Sequence, residues 1–125
     1  MSLNSYRDLE VWQFGIALTR QVYELTRQFP KHEVYGLCSQ MQRAAVSIPA
    51  NLAEGHARSS TKEFLHHLSI ARGSLAELET MLTIAEELQY SQSSQTAGLF
   101  QACDRISRMM SGLRQSLLVR LDRDG

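Results

Sequence analysis

The sequence predicts an all-α fold: a single domain over residues 1–125, built as an antiparallel, up-down-up-down four-helix bundle. Three observations lead there. Apolar residues recur at three- and four-residue spacing along four stretches, the mark of amphipathic helices. The links between the first three stretches are short, and short links make antiparallel neighbours. No strand-like alternation, internal repeat or low-complexity tract breaks the pattern.

Helix one is expected to begin after Ser5, where Ser5-x-x-Asp8 approximates a capping box. Val11, Phe14, Leu18, Val22, Leu25 and Phe29 form its main stripe, and Leu9, Trp12, Ile16 and Tyr23 a second one. Pro30 stops it. Helix two is expected from Val34 to Glu54, with Leu37, Met41, Ala44, Ile48 and Leu52 inward. It contains Pro49, which removes a backbone hydrogen bond and crowds the preceding turn at a cost of about 3 kcal/mol. A bend at Pro49, with close helix packing over the surrounding alanines, is the expected remedy. Arg43, Ser47, Asn51 and Glu54 make a polar ladder beside the core stripe, and Gly55 ends or bends the helix.

Ser60-x-x-Glu63 is a capping box that starts helix three at Thr61. Phe64, Leu68, Ala71, Leu75, Leu78, Leu82 and Ala85 form its main stripe; Ile70, Met81, Ile84 and Leu88 form another. Gly73 is read as a point where a neighbouring helix comes close. After the polar break at 89–97, helix four can start at Ser91, Ser93 or Ser94. Its stripe is Leu99, Cys103, Ile106, Met110, Leu113, Leu117 and Leu121, and residues 122–125 are expected to fray.

Bulk properties exclude several classes. No stretch approaches the roughly 20 apolar residues of a membrane span. Met1 to Tyr6 lacks a signal-peptide pattern, so a cytoplasmic protein is expected. Cys38 and Cys103 fall on apolar faces and read as core thiols. Thirteen Lys plus Arg balance thirteen Asp plus Glu, which argues against a general nucleic-acid coat. The charge is uneven, however: Arg105, Arg108, Arg114 and Arg120 face the single acid Asp104 within residues 91–121. Glu77, Glu79, Glu86 and Glu87 lie together with no base among them.

Trp12, Ile16 and Tyr23, with Ile70, Met81 and Ile84, are more apolar surface than one bundle helix face needs. They are expected to form a subunit interface, the alternative being full cover within one bundle.

The runs Tyr35-Gly36-Leu37, Ala44-Ala45-Val46-Ser47-Ile48-Pro49-Ala50-Asn51-Leu52-Ala53-Glu54-Gly55, Lys62-Glu63-Phe64-Leu65 and Ala71-Arg72-Gly73-Ser74-Leu75-Ala76-Glu77-Leu78-Glu79 occur in order. Together with Tyr6-Arg7-Asp8-Leu9-Glu10-Val11-Trp12 they closely resemble the four-helix bundle proteins encoded in intervening sequences of bacterial 23S rRNA genes, over roughly residues 6–90. The resemblance implies a homopentamer with a central channel. The chain is also similar to the accessory protein of diversity-generating retroelements, a similar bundle and pentamer that associates with nucleic acid and a reverse transcriptase. The family offers no catalytic residues to carry over.

Two cationic patches are candidates for nucleic-acid backbone contact. Arg105 and Arg108 are one turn apart, away from the helix-four core stripe; Arg120 flanks the same side and Arg114 points elsewhere. Arg58 and Lys62 bracket a helix N-terminus with the hydroxyls of Ser59, Ser60 and Thr61. Neither patch has interleaved aromatics, so base stacking is not indicated. Each patch alone also fits an ordinary solvated face, and a ring would repeat it with avidity. Glu63-x-x-His66 has a di-iron spacing but lacks its second copy, and adjacent His66 and His67 point apart, so no metal or other cofactor is expected. With no glycine-rich phosphate loop, nucleophile elbow or Cys/His pairing, no enzymatic activity is expected either. Glu54 is expected to be buried and paired with Arg43 or Arg72. Two functions remain: an oligomeric bundle associated with RNA or DNA, and a scaffold for a partner protein.

Overall fold

A computed structural model describes residues 5–124; Met1 to Asn4, part of the segment read for a signal peptide, and the terminal Gly125 lie outside the described residues. Among the described residues there are four α-helices: α1 (Glu10–Thr26), α2 (Leu37–Ala57), α3 (Thr61–Glu87) and α4 (Ser93–Asp124).

Each boundary has a local cause. The Ser5 hydroxyl accepts from Arg7 N at 3.1 Å, but it caps a separate single turn, Tyr6–Asp8. Extended Leu9 divides that turn from α1, so the helix starts at Glu10 and not after Ser5. At the other end α1 stops at Thr26, earlier than Pro30 requires. Gln28 N and Phe29 N bond back to Leu25 O and Thr26 O, each at 3.1 Å, and these tighter turns close the helix while still burying Phe29.

Glu33 sets the start of α2. Its carboxylate accepts from Leu37 N at 3.1 Å, so the helix begins at Leu37 and leaves Val34 and Tyr35 outside, exposed. A Cβ at Gly36 would stand 2.7 Å from Glu33 Oε1, which is why a glycine sits under this cap. Ser60 caps α3 as expected, accepting from Glu63 N at 3.1 Å. Beyond α3, Gln89 N bonds to Glu86 O and Tyr90 N to Ala85 O, both at 2.9 Å, with Gln89 at φ 63°. That pair of bonds is a Schellman cap with glutamine in the left-handed position glycine usually takes. α4 starts at Ser93 and stays helical through Asp124, so the expected fraying of residues 122–124 is not seen.

Cross-helix contacts fix the topology. Gly15 meets Pro49 and Thr19 meets Ala45, while Thr26 meets Gln42, so α1 and α2 are antiparallel. Ser47 bonds Ser74 and Asn51 bonds His67, so α2 and α3 are antiparallel. Thr96 bonds Glu86 and Arg120 bonds Thr61, which orders α3 against α4. Arg105 lies over Phe14 and Gln95 bonds Gln28, which closes α4 against α1. α1 and α3 occupy one diagonal, α2 and α4 the other. Leu18, Val22, Met41, Ile48, Leu52, Leu68, Leu78, Leu82, Ile106 and Met110 fill the centre.

α2 runs unbroken through Pro49. Proline has no N–H, so the carbonyl of Ala45, four residues back, loses its helical partner. Thr19 of α1 supplies one. Its hydroxyl proton is shared between Gly15 O at 2.8 Å and Ala45 O at 3.2 Å. The Pro49 ring lies on Gly15, where an added Cβ would stand 3.4 Å from Pro49 Cβ and Cδ, at the near edge of van der Waals contact. Close helix packing offsets the proline, as the small residues suggested.

Gly55 does not end the element; it lies inside α2. A Cβ there would stand 2.8 Å from a Phe64 ring carbon and 3.0 Å from His67 Cβ. Gly73 has no such neighbour: nothing comes within 4 Å of its Cβ position, and it faces solvent.

One clasp joins the α1–α2 and α3–α4 connections. The Tyr90 hydroxyl donates to Glu33 Oε2 at 2.8 Å, and His32 Nε2 lies 3.3 Å from the same hydroxyl. The Tyr90 hydrogen bond, with the Leu37 N–H, holds the Glu33 carboxyl below its ordinary value. The same bond pushes the Tyr90 phenol up.

Three outcomes are expected. Thr19→Val lowers stability by about 1 kcal/mol in chemical denaturation; in a Pro49→Ala background the loss shrinks toward zero, because the backbone N–H restored at position 49 then satisfies Ala45 O. Equal losses in both backgrounds would show that the hydroxyl does not serve that carbonyl. Gly55→Ala costs about 1–3 kcal/mol by overpacking against Phe64. Tyr90→Phe raises the Glu33 titration midpoint toward the ordinary carboxylate value by NMR. Because a depressed folded pKa gives stability at neutral pH that is lost as pH falls through the folded value, the variant loses less stability on acidification than the parent chain does.

Candidate nucleic-acid interface

The polar ladder on α2 is real between Ser47 and Glu54, and it crosses to α3. Asn51 Nδ2 donates to Ser47 O at 2.9 Å and to Ser47 Oγ at 3.0 Å. Ser74 Oγ donates to Ser47 Oγ at 2.8 Å. With its amide nitrogen committed, Asn51 presents Oδ1 to His67 Nδ1 at 3.1 Å, so His67 carries a proton on Nδ1. Ser74 and His67 extend the ladder beyond the residues that the sequence pattern of α2 contains. Their seven-residue spacing, two polar residues on the α2-facing side of α3, is the signal that marks them.

The expectation for Glu54 is corrected. Its side chain is 52% exposed, and it pairs with Arg58 at 3.0 Å and faces His67 at 3.6 Å. Arg43 and Arg72 are both exposed and neither reaches it. The neighbouring Gly55 takes the close approach to α3, which leaves Glu54 on the rim, where its pair carries little stability.

The cations divide between two places. Arg58 and Lys62 flank the start of α3, and Arg120 joins them from α4, donating from Nε to Thr61 Oγ1 at 3.1 Å. Arg58 and Arg120, with His56, Ser59, Ser60 and Asp124, border a cavity of about 360 Å³, and Lys62 lies outside its lining. Arg105 and Arg108 instead overlook the seam between α1 and α4. Arg108 pairs with Asp104, while the Arg105 guanidinium lies over the Phe14 ring, its Cζ 5.0 Å from the ring centroid. Arg120 therefore does not share a side with Arg105: one leans on α3, the other on α1. Phe14 also supplies the aromatic that neither cationic stretch contains. No local pattern shows it, because ring and guanidinium lie on different helices.

The apolar interface candidates separate as well. Ile16, Tyr23, Ile70 and Ile84 are exposed. Met81 is 8% exposed and belongs to the core, because it sits on the side of α3 that meets α2. Trp12 is half-buried, edge-on to Tyr6 with ring centroids 5.2 Å apart. A helix turns about 100° per residue. Counted from Gly15, Thr19 and Thr26, which meet α2, Ile16 and Tyr23 lie just outside the α1–α2 seam. Counted from Ser74, Ile70 and Ile84 lie just outside the α2–α3 seam. Between them α2 presents Ser39, Arg43, Val46, Ala50, Ala53 and Ala57 at alternating four- and three-residue spacing. That heptad spacing is the sequence signal for α2 as the middle of the face.

Glu63 and His66 are exposed on α3, and among the described residues no three His, Cys, Asp or Glu side chains are grouped to hold a metal ion. Cys38 and Cys103 are buried free thiols, and burial pushes Cys103 up to about 12. No helix among the described residues is long and apolar enough to cross a membrane.

A comparison with curated proteins finds no match. A family model described as 23S rRNA-intervening sequence protein matches residues 7–112, from the turn before α1 into α4 as far as Gly112. The match runs beyond the stretch of roughly 6–90 that carries the resemblance in the sequence motifs. Covering most of the chain, and joined to the four-helix architecture, it places the protein in the 23S rRNA-intervening sequence protein family.

Proposed function

We propose that this chain is a non-enzymatic cytoplasmic bundle that assembles with copies of itself and holds a nucleic-acid backbone. The observation that carries the reading is the partition of its surface. Exposed Ile16, Tyr23, Val46, Ile70 and Ile84 gather around α2, while Arg105, Arg108, Arg114 and Arg120 all belong to α4, on the other end of the same diagonal. Assembly through the α2 side leaves the arginines free. A closed ring of five, which the family resemblance implies, would repeat them around its rim and multiply weak phosphate contacts by avidity. Arg58 and Lys62 add a second contact at the start of α3. No cofactor enters this reading.

One observation favours the scaffold reading. Tyr35 is 96% exposed beside exposed Val34, outside the α2-centred face, a fit surface for a partner protein.

Two measurements test the proposal. By light scattering the chain has a mass several times its 14.1 kDa, and Ile16→Glu with Ile70→Glu reduces it to one copy without loss of helicity. A monomeric parent chain refutes assembly. By anisotropy, structured RNA binds at low salt and weakens steeply as salt rises, and Arg105→Glu with Arg108→Glu weakens it further. An assembled protein that binds no RNA at low salt supports the scaffold instead.

A further inference from the structure

The groove between α1 and α4 encloses about 460 Å³, a size that suits a small ligand. Its floor is apolar and low: Ala17 from α1, Gly98 and Ala102 from α4, with Leu18 beneath. At one end the Arg105 guanidinium lies over half-buried Phe14, 5.0 Å from the ring centroid. Arg105 forms no ion pair among the described residues. Gln21 and Gln101 stand at the walls, each with an amide that both donates and accepts. The groove continues past Gln21 and Gly98 toward Glu24, so its far end is acidic and its near end cationic.

This combination has a chemical meaning. Unpaired bases bind proteins by stacking on aromatic rings and guanidinium planes and by pairing their edges with amides. Arg105 over Phe14 offers such a plane, with free charge. Phe14 and Gln21 are seven residues apart, about 10 Å along α1. That short span suits a flat ring system and is less than two turns of a partner helix. An acidic peptide would use the arginines but has no use for the stack or the paired amides.

Resting on the nucleic-acid reading above, we infer that the α1–α4 groove seats one unpaired nucleotide of a single strand. Its base lies on the Phe14–Arg105 pair, its edge faces Gln21 and Gln101, and its phosphate meets Arg108, away from Glu24. The guanidinium of Arg108 keeps donors free beyond the one given to Asp104.

The test uses the full chain and labelled probes: single-stranded oligo-U, oligo-A and their DNA counterparts, all of one length, and a fully paired RNA hairpin. Single strands bind at least about fivefold tighter than the hairpin. Arg105→Lys, which keeps the charge but loses the plane, and Phe14→Leu each remove most of that preference, and Gln101→Ala shifts the ratio of oligo-U to oligo-A. Comparable RNA and DNA affinities mean that the base and phosphate suffice; a preference for RNA adds the 2′-hydroxyl to the same site. Thermal melts confirm that Phe14→Leu is folded, and Arg105→Lys and Gln101→Ala change exposed side chains only. Equal binding of hairpin and single strands, unmoved by Arg105→Lys, overturns the groove while leaving backbone binding intact. Displacement by polyglutamate as effective as by oligo-U overturns it too, as a general anion site. Binding of no probe at low salt removes both readings.

Discussion

Everything in this bundle is arranged about a missing N–H. Pro49 leaves the Ala45 carbonyl without its helical donor, in a residue that is fully buried. A buried carbonyl without a partner costs about 1–3 kcal/mol, a sizeable part of the stability of a small domain. The remedy cannot come from α2 itself, so it fixes where α1 must lie. Thr19 has to reach Ala45 O, and Gly15 has to meet the proline ring. These two positions on α1, one turn apart, thereby set the register of the first helix pair. Gly55 sets that of the second, where Phe64 and His67 close onto the backbone of α2.

With both faces of α2 committed in this way, its outer side is left as a shallow strip of Val46, Ala50, Ala53 and Ala57. Small side chains there are a by-product of nothing in the core, since they do not face it. Flanked by Ile16 and Tyr23 on one side and Ile70 and Ile84 on the other, the strip has the relief of a helix-packing surface. The charged helix α4 has the opposite character, with most of its length beyond the stripe polar. The proposed assembly rests on this division of surfaces.

The four helices and their core stripes were legible because 3.6-residue periodicity survives any tertiary arrangement. The α3 cap at Ser60 was equally legible, since the capping box is complete within four residues. Boundaries were less so. Leu37 begins α2 because a carboxylate four residues upstream happens to cap it, and Leu9 breaks the first turn from α1 by packing inward. Side-chain fate on a shared face was harder still. Met81 and Ile84 both sit on the second stripe of α3, yet a rotation of about 60° between them separates core from surface. Glu54 reaches the rim for the same reason. The pairings that set the helix register and the candidate groove, Thr19 with Ala45 and Phe14 with Arg105, join residues on different helices, and periodicity has nothing to say about them.

The unequal lengths of the helices carry one more consequence. At about 1.5 Å per residue, α4 is nearly twice as long as α1. Arg105 already lies level with Phe14, near the start of α1, so the later turns of α4 run past the end of that neighbour. They rest on the start of α3, with Leu117 buried and Arg120 tied to Thr61. Opening free energy follows the number of packed neighbours, so it falls along α4 toward Asp124. The arginines of one helix thus differ in stiffness. Arg105 and Arg108 are mounted on the segment packed against α1, whereas Arg114 and Arg120 ride beyond it, where α4 leans on the start of α3.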